Sequence, residues 1–304
     1  MDTFIKWYED LGRTKNSVIT MKQSIKRLMN LLDVSFIRTK KQILKPKQTL
    51  DLILGSYSIN TTLLLLNSIK MILKKENKQN IIDIYDDYIL ELQDELDKNN
   101  NQEKNNHEEE NWINYEVLKK KVEDIINENL NKTISFTRLR LLLLVSLFSQ
   151  IPPARISNYL NMKIIEDNKK ADDKEKNYYN KKTNEFIFNN YKTSKYLGSV
   201  TYKIKNDTLI NLINKWLSPN YNNTDNFLVD LKKNLITPNQ NISKLISNAS
   251  ETYLNKKINL NLYRKIYLTW FLNTNPSITQ KTEVFKIIGH QYQPSTAEKY
   301  YKKN

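Results

Sequence analysis

The chain has 304 residues, 39% of them apolar and 27% charged, which is enough to build packed cores and argues against wholesale disorder. Its 48 Lys and Arg against 33 Asp and Glu give a formal charge of +15, which favours a polyanionic partner because each phosphate neutralised releases counterions. There is no cysteine, and His107 and His290 are the only histidines, which excludes disulfides, thiol catalysis, Cys-ligated zinc and a His-rich metal site. No cofactor or metal is therefore expected.

The basic excess also has a compositional source, since Lys, Asn and Ile dominate and all have AT-rich codons. The N-terminal MDTFIKWYED lacks the layout of a secretory leader. The longest apolar run, Leu139 to Phe148, contains Arg140 and is too short to span a bilayer. A soluble, intracellular protein without a membrane partner is expected.

With only 4 Gly and 7 Pro, the chain is predicted to be mainly α-helical, because sheet-rich folds need more turn residues. Over residues 16–32 the apolar Val18, Met21, Ile25, Leu28 and Leu31 recur at three- and four-residue steps, as on an amphipathic helix. Further helices are predicted over 47–54, over 60–74 with Asn60 or Thr61 as cap, and over 81–96. These make a helical N-terminal domain over 1–96. Residues 97–111, DKNNNQEKNNHEEEN, contain no apolar residue and read as a flexible linker, with His107 solvated and without function.

A second domain is expected over 112–304. Helices are predicted over 112–130 and 135–150, then Pro152 and Pro153 interrupt the chain and a helix resumes near Ala154. A polar stretch over 166–185 precedes the alternating segment Phe186 to Ile204, which predicts a β-hairpin turning around 193–198. From Thr208 the chain reads as helical again, with polar breaks over 218–226 and 235–241, and no internal repeat is present.

Four short segments stand out. They are PPARISNYLNMKI with Arg155, NNYKTSK with Lys192, NLNLYRKIYLTWFL with Arg264, and IIGHQYQPSTAEKYY with His290 and Tyr300. The order Arg, Lys, Arg, His, Tyr resembles the tyrosine recombinase (integrase) family. Its members carry an Arg in an Arg-Ile-Ser helix, a Lys in a β-hairpin, a His-x-x-Arg helix, a Leu-Gly-His segment and a C-terminal Tyr. The resemblance runs from about Trp112 to Tyr301. It implies a catalytic domain over 112–304 and a helical core-binding domain that clamps DNA over 1–96. It also implies double-stranded DNA as partner, a dimer or tetramer on that DNA, and a place of work wherever the DNA lies, in host nucleus or cytoplasm.

The chemistry implied needs these residue types. A phosphodiester gains negative charge as a fifth oxygen attacks, and preorganised cations stabilise that state. Arg155 and Arg264 would clasp the non-bridging oxygens through their planar forks. His290 would add a hydrogen bond to the phosphate. Lys192, with Lys195 as competitor, would protonate the departing 5′ oxygen. Tyr300 would attack and form a 3′-phosphotyrosyl link, and the link conserves bond energy for rejoining. Three positions depart from the family pattern. Asn261 stands where His or Lys is usual. Asn158 stands where an acidic residue often supports the Arg. The step from His290 to Tyr300 is one residue longer than usual, so Tyr301 competes for the nucleophile. The chain also reaches only to Asn304, without the further C-terminal helix of many relatives. The resemblance, with the AT-rich codons, suggests integration of a viral or mobile genome. A type IB topoisomerase and a catalytically inactive DNA-binding relative are the alternatives.

Overall fold

The computed structural model describes residues 1–98, 102–167, 171–236, 242–294, 297 and 300–302. Parts of three stretches read from the sequence, 97–111, 166–185 and 235–241, fall outside it, as do Ser295, Thr296, Glu298 and Lys299 ahead of Tyr300. The protein is mainly helical with one small sheet. It divides into two compact units, Met1–Asn101 and Gln102–Asn304.

The first unit contains α1 (Asp2–Asp10), α2 (Lys15–Leu31), α3 (Phe36–Gln42), α4 (Pro46–Leu54), α5 (Ile59–Lys75) and α6 (Gln79–Lys98). The helices expected over 16–32, 47–54, 60–74 and 81–96 correspond to α2, α4, α5 and α6, while α1 and α3 are additional. Proline opens α4, where its missing N–H leaves no partner wanting. The cap of α5 is Ser58 and neither Asn60 nor Thr61, since the Ser58 backbone is extended and its hydroxyl bonds that of Thr61 at 3.3 Å. One core forms where Ile25 and Leu28 of α2 meet Leu65, Leu66, Ile69 and Ile72 of α5, all fully buried. Each such side chain contributes about 1.5–3 kcal/mol by leaving water.

The second unit contains α7 (Asn106–Asn111), α8 (Tyr115–Leu130), α9 (Phe136–Ser149), α10 (Ile156–Tyr159), β1 (Lys163–Ile165), β2 (Tyr178–Asn180), β3 (Glu185–Phe188), α11 (Ser194–Leu197), β4 (Val200–Lys203), α12 (Asp207–Trp216), α13 (Ile242–Leu254), α14 (Leu260–Asn273) and α15 (Ile278–Ile287). Helix α9 is apolar on every face, as suits a helix surrounded by others, and it packs against α8, α12, α13 and α14. The apolar run over 139–148 is thus the centre of a core. Among the described residues no helix is long and apolar enough to cross a membrane.

The sheet has the order β1-β2-β3-β4, parallel between β1 and β2 and antiparallel beyond. The predicted hairpin is β3 and β4, in the register Phe186↔Tyr202 and Phe188↔Val200, with α11 inside the turn. Strand β2 lies in what reads as a polar stretch, and all three of its residues are buried. It is three residues long and bounded by Asn177 and Asn180, so alternation has no room to show. The helix expected to resume near Ala154 is the four-residue α10, which Asn161 ends with φ of 58°.

Two sequence features take unexpected forms. Residues 102–111, expected in a flexible linker, belong to the second unit. There α7 is closed by a capping box in which Asn105 Oδ1 accepts the Glu108 N–H and Glu108 accepts that of Asn105. Asparagine also replaces glycine at helix ends and turns: Asn77, Asn161, Asn184, Asn255 and Asn275 all take positive φ, between 52° and 58°. At Asn77 this completes a Schellman motif, the Lys78 N–H returning to Leu73 O at 3.1 Å.

Candidate active site

Arg155 is the N-cap of α10, set there by the buried Pro152–Pro153–Ala154 stretch. Arg264 sits in the second turn of α14 and is 4% exposed. The Pro153 carbonyl accepts its Nε–H at 3.0 Å, so the proline pair aims both arginines. His290 follows α15 through a Schellman motif, in which Gly289 has φ of 83° and the His290 N–H donates to Phe285 O at 2.8 Å. A Cβ on Gly289 would lie 3.0 Å from Arg155 Nε. Glycine is thus favoured twice, by its φ and by the passage of the arginine.

These elements bring three of the sequence-derived residues into contact. Arg155 Nη2 lies 3.2 Å from His290 Nε2, and the Tyr300 hydroxyl lies 2.9 Å from the same nitrogen. A guanidinium can only donate, so Nε2 is the acceptor and the ring proton sits on Nδ1. Burial, with Arg155, Arg264 and Lys192 as further causes, pushes the His290 pKa down to about 4, so the imidazole is neutral at physiological pH. Arg264 is pushed down to about 10, first by burial and then by Arg155, and stays charged. Arg155 Nε and Arg264 Nη2 are buried and meet no hydrogen-bond partner among the described residues. Buried cationic donors of this kind are what an anion satisfies.

Lys192 lies exposed in the turn after β3, close enough to bear on His290. Thr193 Oγ1 donates to Gly289 O at 3.0 Å and ties this turn to the His290 segment. Lys195 is exposed on α11. Asn261 is exposed on α14 one turn before Arg264, and no hydrogen bond joins it to the cluster among the described residues. Asn158 is buried, with neither side-chain atom bonded among those residues. Tyr301 is half-buried and makes no side-chain hydrogen bond among them, while its neighbour Tyr300 faces His290.

Sequence reading quoted Thr193 and Gly289 within their motifs without giving them a role, and it missed the Pro153 carbonyl and Thr269, whose Oγ1 donates to Tyr300 O at 3.4 Å. Gly289 carried a signal, since a chain with 4 glycines places one directly before His290. A separate cavity of about 620 Å³ is lined by Tyr115, Tyr202, Tyr267 and Trp270, and it takes in none of the candidate residues.

No family model and no curated protein matches the chain. Among solved structures, the crystal structure of XerA recombinase is similar over 99% of this chain and 92% of that one, at 12% identity and a TM-score of 0.43. So distant a likeness carries no weight for function.

Proposed function

We propose that the chain is a tyrosine-type DNA strand transferase, a recombinase or integrase that cuts and rejoins strands through a 3′-phosphotyrosyl intermediate. The observation that carries this reading is the Tyr300 hydroxyl 2.9 Å from His290 Nε2, beside two arginines with unsatisfied buried donors. Arg155 and Arg264 hold the scissile phosphate. Tyr300 attacks phosphorus, its proton passing to the neutral imidazole, and Lys192 protonates the 5′ oxygen that leaves. His290 here serves the nucleophile, where the sequence reading assigned it to the phosphate. A bound phosphodiester offsets the charge of both guanidiniums, which makes His290 a better base when substrate is present. Arg155, Arg264, Lys192, His290 and Tyr300 are the catalytic set, and Tyr301 and Asn261 stand outside it. The helical first unit would clamp the duplex, and the AT-rich codons suit integration of a viral or mobile genome.

The test is to incubate the protein with terminal DNA of its source genome and look for a covalent protein–DNA adduct. Tyr300→Phe should abolish the adduct with DNA binding kept, and Tyr301→Phe should retain it. Adduct formation should persist in EDTA, because the electrostatic work falls to the arginines. An adduct that survives Tyr300→Phe and vanishes in Tyr301→Phe would move the nucleophile by one residue. Tight binding with no adduct from the wild-type chain would leave a DNA-binding protein.

A further inference from the structure

The segment that carries Tyr300 is anchored from the far side of α14. Lys302, two residues beyond the tyrosine, is 8% exposed. Its backbone N–H donates to Thr269 Oγ1 at 3.0 Å, and its ammonium donates to Glu103 O at 2.7 Å. The same ammonium lies 3.3 Å from Glu108 Oε2. Glu108 is 5% exposed and is also ion-paired to Lys265, the residue after Arg264 on α14. Burial pushes its carboxyl up, but the Lys265 and Lys302 ammoniums and the Asn105 N–H outweigh that and hold it below the usual carboxylate range. The capping box fixes the carboxylate within α7. Among the described residues no hydrogen bond or ion pair joins Glu108 to Arg155, Arg264, His290 or Tyr300, so it does not belong to the reacting cluster.

A buried carboxylate shared by two ammoniums is a directional anchor, since charge-assisted bonds are about twice as strong as neutral ones. One of its ammoniums belongs to the tyrosine segment and the other to the arginine helix. We propose that Glu108 is a positioning residue, holding Lys302 so that the Tyr300 hydroxyl stays on His290. The stretch through which the chain enters the second unit thereby becomes part of the active-site scaffold. The hold on the segment stands on geometry alone, while its consequence for catalysis rests on the strand-transfer reading.

Hydrogen exchange on the full chain tests the hold without DNA. Glu108→Gln keeps the shape and the capping geometry and should speed exchange of the Tyr300 and Tyr301 amides roughly tenfold, the loss of one charge-assisted bond, with the amides of α9 unchanged. Lys302→Met should do the same, and the double variant should fall short of additive, because the Glu108–Lys302 bond is common to both. Unchanged exchange in both single variants, equal acceleration in α9, or full additivity would each overturn the proposal. With DNA, Glu108→Gln should slow adduct formation roughly tenfold at unchanged Kd, and Glu108→Asp should recover part of that loss. An unchanged rate in Glu108→Gln would overturn the positioning role. A wild-type chain that forms no adduct while the exchange pattern holds would instead overturn the strand-transfer reading and leave the anchor standing.

Discussion

Among the described residues of the first unit, the buried polar ones are Ser24, Thr39, Thr49, Thr62 and Ser68, all small hydroxyls. The last four bond backbone carbonyls of their own neighbourhood, such as Thr39 to Ser35 and Ser68 to Leu64. The second unit buries Glu108, Arg140, Arg264 and Lys302, along with a group of asparagines that includes Asn158 and Asn177. Burying an ion is costly unless partners compensate it. Glu108 and Lys302 compensate each other, while Arg264 keeps an unsatisfied donor beside Tyr300 and Arg155. The first unit buries no charged side chain among its described residues, whereas the second leaves cationic donors unsatisfied where a charged ligand could complete them.

The largest effect should separate chemistry from folding. Arg264→Ala and Arg155→Ala should each slow adduct formation on the order of 10²–10³-fold with DNA affinity nearly kept, as for other preorganised donors. Arg155→Lys should not rescue, because an ammonium cannot form the bidentate fork. Burst kinetics on a nicked duplex would show it, and a rescue by lysine would reduce Arg155 to a point charge.

A smaller effect should appear in stability and stay within one unit. Ile69→Ala opens a cavity in the first unit and should cost about 2–5 kcal/mol. Leu143→Ala should do likewise in the second. Urea unfolding followed by hydrogen exchange should show each loss in its own unit. A loss shared equally between the units would erase the contrast.

The smallest effect is a titration. The His290 imidazole should titrate near 4 by proton NMR, and Arg155→Ala should move it upward, since a repelling cation is lost. The folded value lies below the ordinary 6.5, so between about 4 and 6.5 the folded state binds fewer protons than the unfolded one, and stability rises with pH across that window. His290→Gln should flatten that slope. An unshifted titration in Arg155→Ala would remove Arg155 from the causes of the depression.

What the sequence made legible was whatever writes itself in apolar periodicity. The steps Val18, Met21, Ile25 and Leu28 mark the buried face of α2, and the alternation after Phe186 marks the hairpin. Helix α7 escaped because it has no apolar residue: its buried side is a carboxylate between ammoniums, to which a hydrophobic pattern is blind. The candidate site was legible as an order of residue types along the chain. Whether His290 would face the phosphate or Tyr300 was not, since that depends on how the turn after α15 meets the segment beyond Ala297.

The asparagines at positive φ reach beyond the folding of this chain. A stop signal normally written by leaving out a side chain is written here by an amide that tolerates the same backbone. Glycine codons begin with two guanines, whereas asparagine codons are two adenines and a pyrimidine. At Asn77, Asn161, Asn184, Asn255 and Asn275 a gene can therefore shed guanine while its helices and turns still end in the same places. Gly289 has less such freedom, because a Cβ there would press on Arg155 Nε at 3.0 Å. Mutational drift can rewrite the punctuation of this protein at those five positions, and it meets steric resistance at the residue beside the imidazole.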